Sequence, residues 1–145
     1  MKCNQAGIDL IKSFESCRLE AYQDTRGIWT IGWGHTGPEV VKGLVWTQEQ
    51  ADAQFALDME RRAEDPVGEF VNVALTDNQF AAFCSLCFNI GAGNFRASSA
   101  CHVANTGSLD DVPDHIMLWD HNHDGTISNG LKRRREAEVQ LWQTA

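Results

Sequence analysis

The sequence predicts an α+β fold with a small N-terminal lobe containing a β-hairpin and a mainly helical C-terminal lobe. The prediction comes from a helical hydrophobic period in residues 7–16, strand and turn signals in residues 22–31, and repeated helix-start signals after residue 46. The chain has 145 residues, 43% of them hydrophobic. This length supports one substantial core, or two small lobes sharing a helix, but not two independent domains. We therefore expect residues 1–145 to form a single domain with a cleft between its lobes.

The first predicted element is a short amphipathic helix over residues 7–16. Ile8, Ile11 and Phe14 recur at helical spacing along it. Glu15 therefore lies near the C-terminal end of the helix, and we expect it to lie beside an apolar wall. A carboxyl in apolar surroundings stays protonated to a higher pH than a carboxyl in water.

A β-hairpin comes next, with strands over residues 22–24 and 28–31 and a polar link between them. Gly27 in the link can adopt the positive φ that tight hairpin turns need. Asp24 lies where the first strand enters the turn, and Thr30 lies on the returning strand. A solvated turn keeps a carboxylate ionised, so Asp24 suits the role of base. Glu15, in apolar surroundings, suits the role of acid. Hydrolysis of a glycosidic bond requires such a pair.

The rest of the chain is predicted to be mostly helical. Thr47 with Gln50, and Thr76 with Gln79, each resemble a capping box at a helix start. The second cap precedes a nearly uncharged run that we expect to form the central core helix, ending at Gly91. Its apolar stripe consists of Phe80, Phe83, Cys84, Cys87 and Phe88.

Two further helices are predicted towards the C-terminus. One covers residues 112–119, where Pro113 is acceptable only in the first turn. The last runs from about residue 129 to residue 142.

Three polar residues near the N-terminus stand in a specific order. Glu15, Asp24 and Thr30 form Glu-x8-Asp-x5-Thr, and residues 29–36 read Trp-Thr-Ile-Gly-Trp-Gly-His-Thr. This pattern resembles the phage lysozyme (endolysin) family, glycoside hydrolase family 24, of which the triad is the catalytic signature. Later segments resemble that family's landmarks in their usual order: residues 47–53, 88–95 and 130–138.

The resemblance implies a lysozyme-like fold and a peptidoglycan hydrolase. Such an enzyme cleaves the β-1,4 bond between N-acetylmuramic acid and N-acetylglucosamine. Glu15 is then the general acid, while Asp24, helped by Thr30, activates water in an inverting mechanism. Two alternatives stay open: a lytic transglycosylase, and a catalytically silent wall-binding or calcium-responsive module.

Three residues outside the triad are candidates for substrate contact. Asn89 matches a family position at which a side-chain amide can bind a sugar N-acetyl group, although it could instead cap its helix. Phe88 beside it is a second candidate, although a place in the core is the preferred interpretation. His35 could contact substrate, but a structural histidine held by a carboxylate is the preferred interpretation. The basic run over residues 132–135 is expected to be mostly solvated, or to bring one guanidinium near Glu15.

Residues 120–128 fit the first nine positions of an EF-hand calcium loop. Asp120, Asn122 and Asp124 would supply oxygen ligands, but the glutamate expected at the twelfth position is Leu131. A structural calcium ion is thus the preferred candidate cofactor, and no cofactor is required for the chemistry. A polar turn followed by a helix cap is the alternative, and the two histidines in the loop also allow a transition metal, which ranks lower.

The five cysteines are odd in number. Cys84 and Cys87 form a C-x-x-C, but they lie in the apolar stripe of a helix, so we expect buried structural thiols rather than a redox site. Cys3 is expected to be an exposed thiol. Synthesis in a reducing compartment argues against disulfides.

The formal net charge is -8 and the pI is about 4.9. This charge argues against nucleic acid as a partner. The N-terminal residues contain no apolar signal region, and no stretch approaches membrane-spanning length. We expect a soluble monomer made in the cytoplasm of a host bacterium. By the family resemblance, it would act on peptidoglycan after release through a holin, unless an export segment has been trimmed from the sequence.

Overall fold

A helix and three short strands come first, and helices make up most of the remaining chain in the computed structural model, which describes residues 1–145. The strands are β1 (Arg18–Gln23), β2 (Trp29–Gly32) and β3 (His35–Thr36). The helices are α1 (Gln5–Phe14), α2 (Gln48–Met59), α3 (Asp65–Phe70), α4 (Asp77–Ile90), α5 (Ala92–Ala97), α6 (Ser99–Thr106), α7 (Val112–Ile116) and α8 (Asn129–Trp142). A π-helical segment (Glu60–Glu64) and a 3₁₀ turn (Leu109–Asp111) complete the architecture. The predicted α+β fold is confirmed.

Helix α1 starts two residues before its predicted start and ends just before Glu15. The Asn4 side chain accepts a hydrogen bond from the Gly7 N–H at 3.0 Å, which caps the helix. A Cβ at Gly7 would lie only 2.7 Å from the Ala81 Cβ, so glycine allows α1 and α4 to approach closely. The N–H of Glu15 bonds to the Ile11 carbonyl at 3.0 Å, and Glu15 thereby closes the last turn.

The three strands form one antiparallel sheet in the order β1-β2-β3. Tyr22 pairs with Thr30, and Thr30 pairs in turn with Thr36, so Thr30 lies on the central strand. Gly27 has a φ of 80° in the turn, as the sequence predicted. The hairpin is therefore confirmed, although β1 begins four residues before its predicted start and ends at Gln23, which leaves Asp24 one residue beyond the strand.

Helical backbone continues from α2 through the π-helical segment into α3. The Asp65 N–H bonds to the Glu60 carbonyl, five residues earlier, and Pro66 lies in the first turn of α3. A π turn is a local widening of the helix that often occurs at functional sites. It changes the direction in which the side chains of residues 60–64 point relative to α2.

Helix α4 is the central core helix. Nine consecutive residues, 80–88, are buried, and Gly91 ends the helix with a φ of 91°. Both predicted capping boxes, at Thr47 and Thr76, are present. One cluster of 22 buried residues joins α4 to α1, α2 and α8, so the two lobes share a core.

The C-terminal helices largely match their predictions. Helix α8 covers the predicted residues and is capped by the Ser128 hydroxyl, which accepts from the Leu131 N–H. Helix α7 is shorter than predicted. After Ile116 the hydrogen bonds tighten, with the Trp119 N–H donating to the Ile116 carbonyl at 3.2 Å, so the helix turns into the following loop.

The cysteines correct one expectation. All five thiols are free, and Cys84 and Cys87 are fully buried, as predicted. Cys3, expected to be exposed, is only 7% exposed because its sulfur packs against Gly7 on α1. Burial raises the pKa of the Cys87 thiol to about 12, so it stays protonated at neutral pH. No helix combines the length and apolar character needed to cross a membrane.

Candidate active site

A cleft separates the sheet from the C-terminal ends of α1 and α4. Its cavity has a volume of about 390 Å³. It brings together all three members of the sequence triad. The lining residues are Glu15, Tyr22, Asp24, Arg26, Ile28, Thr30, Gly34, Thr36, Arg62, Phe88 and Asn89.

Glu15 meets a cation rather than the expected apolar wall. The Arg134 Nη1 donates to the Glu15 Oε1 at 3.1 Å, and the Arg134 side chain is only 4% exposed while that of Glu15 is 24% exposed. The second carboxylate oxygen faces the cleft beside Gly34, where a Cβ would lie 3.1 Å from it. Glu15 is thus held by one oxygen, while the other lies in the cleft lining beside Gly34.

Asp24 is held by the backbone of its own turn. Its Oδ1 accepts from the Arg26 N–H at 2.8 Å and from the Ile28 N–H at 2.9 Å. The hydrogen bond from Ile28, and then that from Arg26, hold the pKa of the Asp24 carboxyl below its ordinary value. The structure therefore provides an ionised carboxylate at this edge of the cleft, as the sequence predicted.

Thr30, on β2, is 5% exposed and lines the same cleft as Asp24. Its hydroxyl donates to the Ile28 carbonyl at 3.0 Å, which leaves the lone pairs of the hydroxyl oxygen able to accept a hydrogen bond. Tyr22, its partner across the sheet, also lines the cleft. Burial, and then the charge of Glu15, raise the pKa of the Tyr22 phenol, so it stays a neutral donor.

Arg62 lines the floor of the cleft and was not found from the sequence. Its Nη2 donates to the Phe88 carbonyl at 3.0 Å and its Nη1 to the Gly34 carbonyl at 3.4 Å. The guanidinium carbon lies 4.0 Å from the centroid of the Phe88 ring. Arg62 belongs to the π-helical segment, and the only sequence signal for that distortion is Pro66 shortly after it.

The cleft continues into a second cavity of about 520 Å³ towards the C-terminal lobe. Asp24, Arg26 and Asn89 line both cavities. At the mouth, the Arg26 Nη1 lies 3.3 Å from the His123 Nε2, so the hairpin turn contacts the loop before α8. The two cavities together form one groove, an arrangement suited to an extended polymer.

The candidate substrate contacts separate into two kinds. Asn89 is exposed in the groove, and Gly91 rather than Asn89 caps α4, so its amide is available to a ligand. Phe88 is 1% exposed and its ring packs 5.8 Å from that of Phe55. Phe88 therefore supports the cleft from the core, and only a small part of it reaches the surface.

His35 is a structural histidine, as preferred from the sequence. Its Nδ1 lies 2.8 Å from the Asp58 Oδ2, and its Nε2 lies 2.6 Å from the Glu39 Oε1. The hydrogen bond with His35 holds the pKa of the Glu39 carboxyl below its ordinary value. The contact with Asp58 ties β3 to α2, and His35 does not line either cavity of the groove.

The loop over residues 120–128 forms a tight polar turn. The Asp124 Oδ1 accepts from the Thr126 N–H and hydroxyl at 3.0 and 2.6 Å, and Asn122 donates to the Thr126 hydroxyl at 3.2 Å. The Asp120 Oδ1 lies 2.7 Å from the His121 Nδ1. No group of three or more His, Cys, Asp or Glu side chains is arranged to hold a metal ion. In this conformation the predicted calcium ligands therefore contact other residues of the loop.

The basic run on α8 divides into exposed and buried halves. Lys132 and Arg133 are exposed, whereas Arg134 and Arg135 are 3% and 0% exposed. The expectation of a mostly solvated face is therefore wrong for the second half. The alternative, one guanidinium near Glu15, is realised by Arg134.

Comparisons with known proteins find relatives in both sequence and fold. A model of the phage lysozyme family matches residues 12–138. An endolysin of Acyrthosiphon pisum secondary endosymbiont phage 1 is 38% identical over the full length of both chains. The Lactococcus phage c2 endolysin is 37% identical over 98% of this chain, which spans 60% of the length of that protein. The muramidase domain of SpmX from Asticaccaulis excentricus superposes with a TM-score of 0.89 at 37% identity, over 99% of each chain.

Proposed function

The chain belongs to the phage lysozyme family, and from that premise we propose that it is a muramidase that hydrolyses the β-1,4 bond between N-acetylmuramic acid and N-acetylglucosamine in peptidoglycan. The observation that carries the proposal is one cleft lined by two carboxyls in different surroundings, Glu15 beside a guanidinium and Asp24 in a backbone-bonded turn. Glycoside hydrolysis needs two carboxyl groups with distinct roles on either side of the bond.

We assign the general acid role to Glu15. Its free oxygen points into the cleft, where the protonated carboxyl can donate its proton to the leaving glycosidic oxygen. Arg134 fixes the other oxygen, so the carboxyl has one orientation. Tyr22 and Arg62 are the neighbouring cleft groups that face the same space.

We assign the base role to Asp24, with Thr30 as its helper. Asp24 is ionised because backbone N–H groups stabilise the charge, and its second oxygen can accept a proton from water. The Thr30 oxygen can accept from the same water, since its own proton is donated to the Ile28 carbonyl. Water held on the face of the sugar opposite the acid gives inversion at the anomeric carbon.

We propose that the groove beyond the triad binds the glycan strand, with Asn89 as a donor and acceptor for a sugar N-acetyl group. The amide is exposed where the two cavities meet. We also propose that the enzyme acts as a monomer, has no nucleic acid partner, and reaches the wall from the host cytoplasm after release by a holin. The family membership supports the wall as the site of action, and the net charge of -8 is unfavourable for nucleic acid.

The experiment is digestion of purified peptidoglycan by the wild type, Glu15→Gln and Glu20→Gln, with the products identified by mass spectrometry. Glu20 is an exposed glutamate on β1 and provides the matched control. We expect products with reducing N-acetylmuramic acid from the wild type and the control, and a loss of about 10²- to 10⁴-fold in Glu15→Gln. Anhydro products would instead establish a transglycosylase, and a folded wild type that releases nothing would establish a binding module.

A further inference from the structure

A second carboxylate is buried behind the ion pair of Glu15. Glu138 on α8 is 0% exposed, and its Oε2 accepts from the Ser85 hydroxyl at 2.5 Å and from the Arg135 Nη2 at 3.1 Å. Its Oε1 lies 2.7 Å from the Arg135 Nε, at an angle that makes this an ion pair rather than a directed hydrogen bond. Burial raises the pKa of Glu138, while Arg135, Arg134 and the Ser85 hydroxyl oppose that effect.

Arg134 connects this buried carboxylate to the cleft. Its Nε lies 3.6 Å from the Glu138 Oε2, its Nη2 donates to the Ser85 carbonyl at 3.3 Å, and its Nη1 donates to Glu15. The two terminal nitrogens of the guanidinium are therefore hydrogen-bonded, one to Glu15 and one to Ser85, while the Nε makes only an ion-pair contact with Glu138. Because Arg134 is only 3% exposed, solvent screens these interactions little.

Four side chains form a charge cluster in which negative and positive groups alternate and their charges cancel. In order of contact they are Glu15, Arg134, Glu138 and Arg135. The balance matters because a general acid must carry a proton, whereas an unopposed guanidinium at hydrogen-bond distance favours the ionised carboxylate. The other groups that face Glu15 are Arg62 from the π-helical segment, Tyr22 from β1 and Asp24 from the turn. Among all of these, Glu138 is the anion that contacts Arg134 from inside the core.

We infer that Glu138 is a positioning residue that keeps Glu15 able to hold its proton, by orienting Arg134 and neutralising part of its charge. This inference rests on the proposed function of Glu15 as the general acid. Glu138 does not touch substrate, and it acts only through Arg134. Arg135 sets how much of the Glu138 charge is left to oppose Arg134, since it binds both oxygens of that carboxylate.

The test measures the pH dependence of peptidoglycan hydrolysis for Glu138→Gln and for the double variant Glu138→Gln/Arg135→Met. The single variant removes one negative charge from the cluster, whereas the double variant removes one charge of each sign. Excess positive charge favours ionised Glu15. The alkaline limb of the pH–rate profile, where activity falls as the pH rises, should therefore move to lower pH by roughly half to one unit in the single variant. In the double variant the limb should return towards that of the wild type. Glu136→Gln, exposed on the same helix, is the matched control and should leave the limb in place.

A merely structural role gives a different result. Both Glu138 variants would then lose activity in proportion to their lost melting temperature, with limbs that coincide with the wild-type limb, and that outcome overturns the inference. Glu138→Asp, which keeps the charge, should keep the limb. If Glu138→Gln does not fold, Arg135→Met alone decides: it removes a positive charge, so its limb should move to higher pH, and an unmoved limb is contrary to the inference. An inactive wild type would instead count against the proposed function itself.

Discussion

Arg134 lies 3.1 Å from Glu15, although 119 positions separate the two residues in the chain. The contact joins the last turn of α1 to the first turns of α8, and it is made across the shared core rather than within one lobe. Its partner groups are fixed on both sides, because Arg134 also donates to the Ser85 carbonyl. The orientation of the proposed acid is thus decided by the packing of two distant helices.

Arg134→Lys should lower the rate of hydrolysis by roughly 10- to 100-fold with a smaller change in KM. A lysine keeps the charge but has no planar fork to bond Glu15 and Ser85 together, so the acid is held less well. The measurement is kinetics on purified peptidoglycan. Arg133→Lys is the control, since Arg133 is the exposed neighbour on the same helix. Equal rates in both variants would mean that the positive charge at position 134 supports Glu15 without the geometry of the guanidinium.

Asp24→Asn should lose most activity while the hairpin stays folded, because the amide oxygen can still accept from the Arg26 and Ile28 N–H groups. In the wild type the pKa of Asp24 is lowered, so the acid limb of activity should lie below the ordinary carboxyl pKa of about 3.9. The same shift stabilises the fold above that unfolded-state value, and this contribution is lost as the pH falls through the folded value.

A pH–rate profile and chemical denaturation of the Asp24 variant check both statements. Asp9→Asn, at an exposed position on α1, should resemble the wild type. Strong residual hydrolysis in Asp24→Asn would remove Asp24 from the base role.

His35→Gln should cost stability more than catalysis. The imidazole is bonded to both Asp58 and Glu39, and Asp58 is 6% exposed, so losing its partner should destabilise the fold by about 1–3 kcal/mol. Urea denaturation measures the loss, with His102→Gln on the exposed face of α6 as the control. A variant of unchanged stability with greatly reduced hydrolysis would return His35 to the substrate contacts.

Calcium binding by residues 120–128 remains a prediction of the sequence. If the loop binds calcium, millimolar calcium should raise the melting temperature, since a ligand that binds only the folded state stabilises it. Asp120→Ala combined with Asp124→Ala should abolish the response. The effect should be small, because Asp124 must first release Thr126. Coincident melting curves in calcium and in chelator would leave only the polar turn.

The net charge of -8 predicts an unusual response to salt. Bacterial wall is itself anionic, so activity on permeabilised cells should rise with salt before it falls. At about 0.01 M ionic strength the Debye length is roughly 30 Å, whereas near 0.15 M it is about 8 Å and long-range repulsion is screened. Within the basic run, only Lys132 and Arg133 are exposed and can attract the anionic wall. A monotonic fall in the lysis rate at fixed pH would show that local cations control the encounter.

The sequence determined the features whose causes lie within a few residues of each other. The capping boxes at Thr47 and Thr76, the hairpin around Gly27 and the bounds of α8 are local patterns of hydrogen-bonding and hydrophobic side chains, and all are present. The triad could be selected because one helix end and one hairpin, adjacent in the chain, place its members in a single cleft.

Tertiary packing decided the rest. Four consecutive helical residues, at about 100° per residue, cover most of the helix circumference. A run such as 132–135 must therefore place some cations inward, but only the neighbouring helices determine that these are Arg134 and Arg135. Likewise, the burial of Cys3 depends on the close approach of α1 and α4, and the place of Arg62 in the cleft depends on the π turn. Such contacts join residues far apart in the chain, and local propensity carries no information about them.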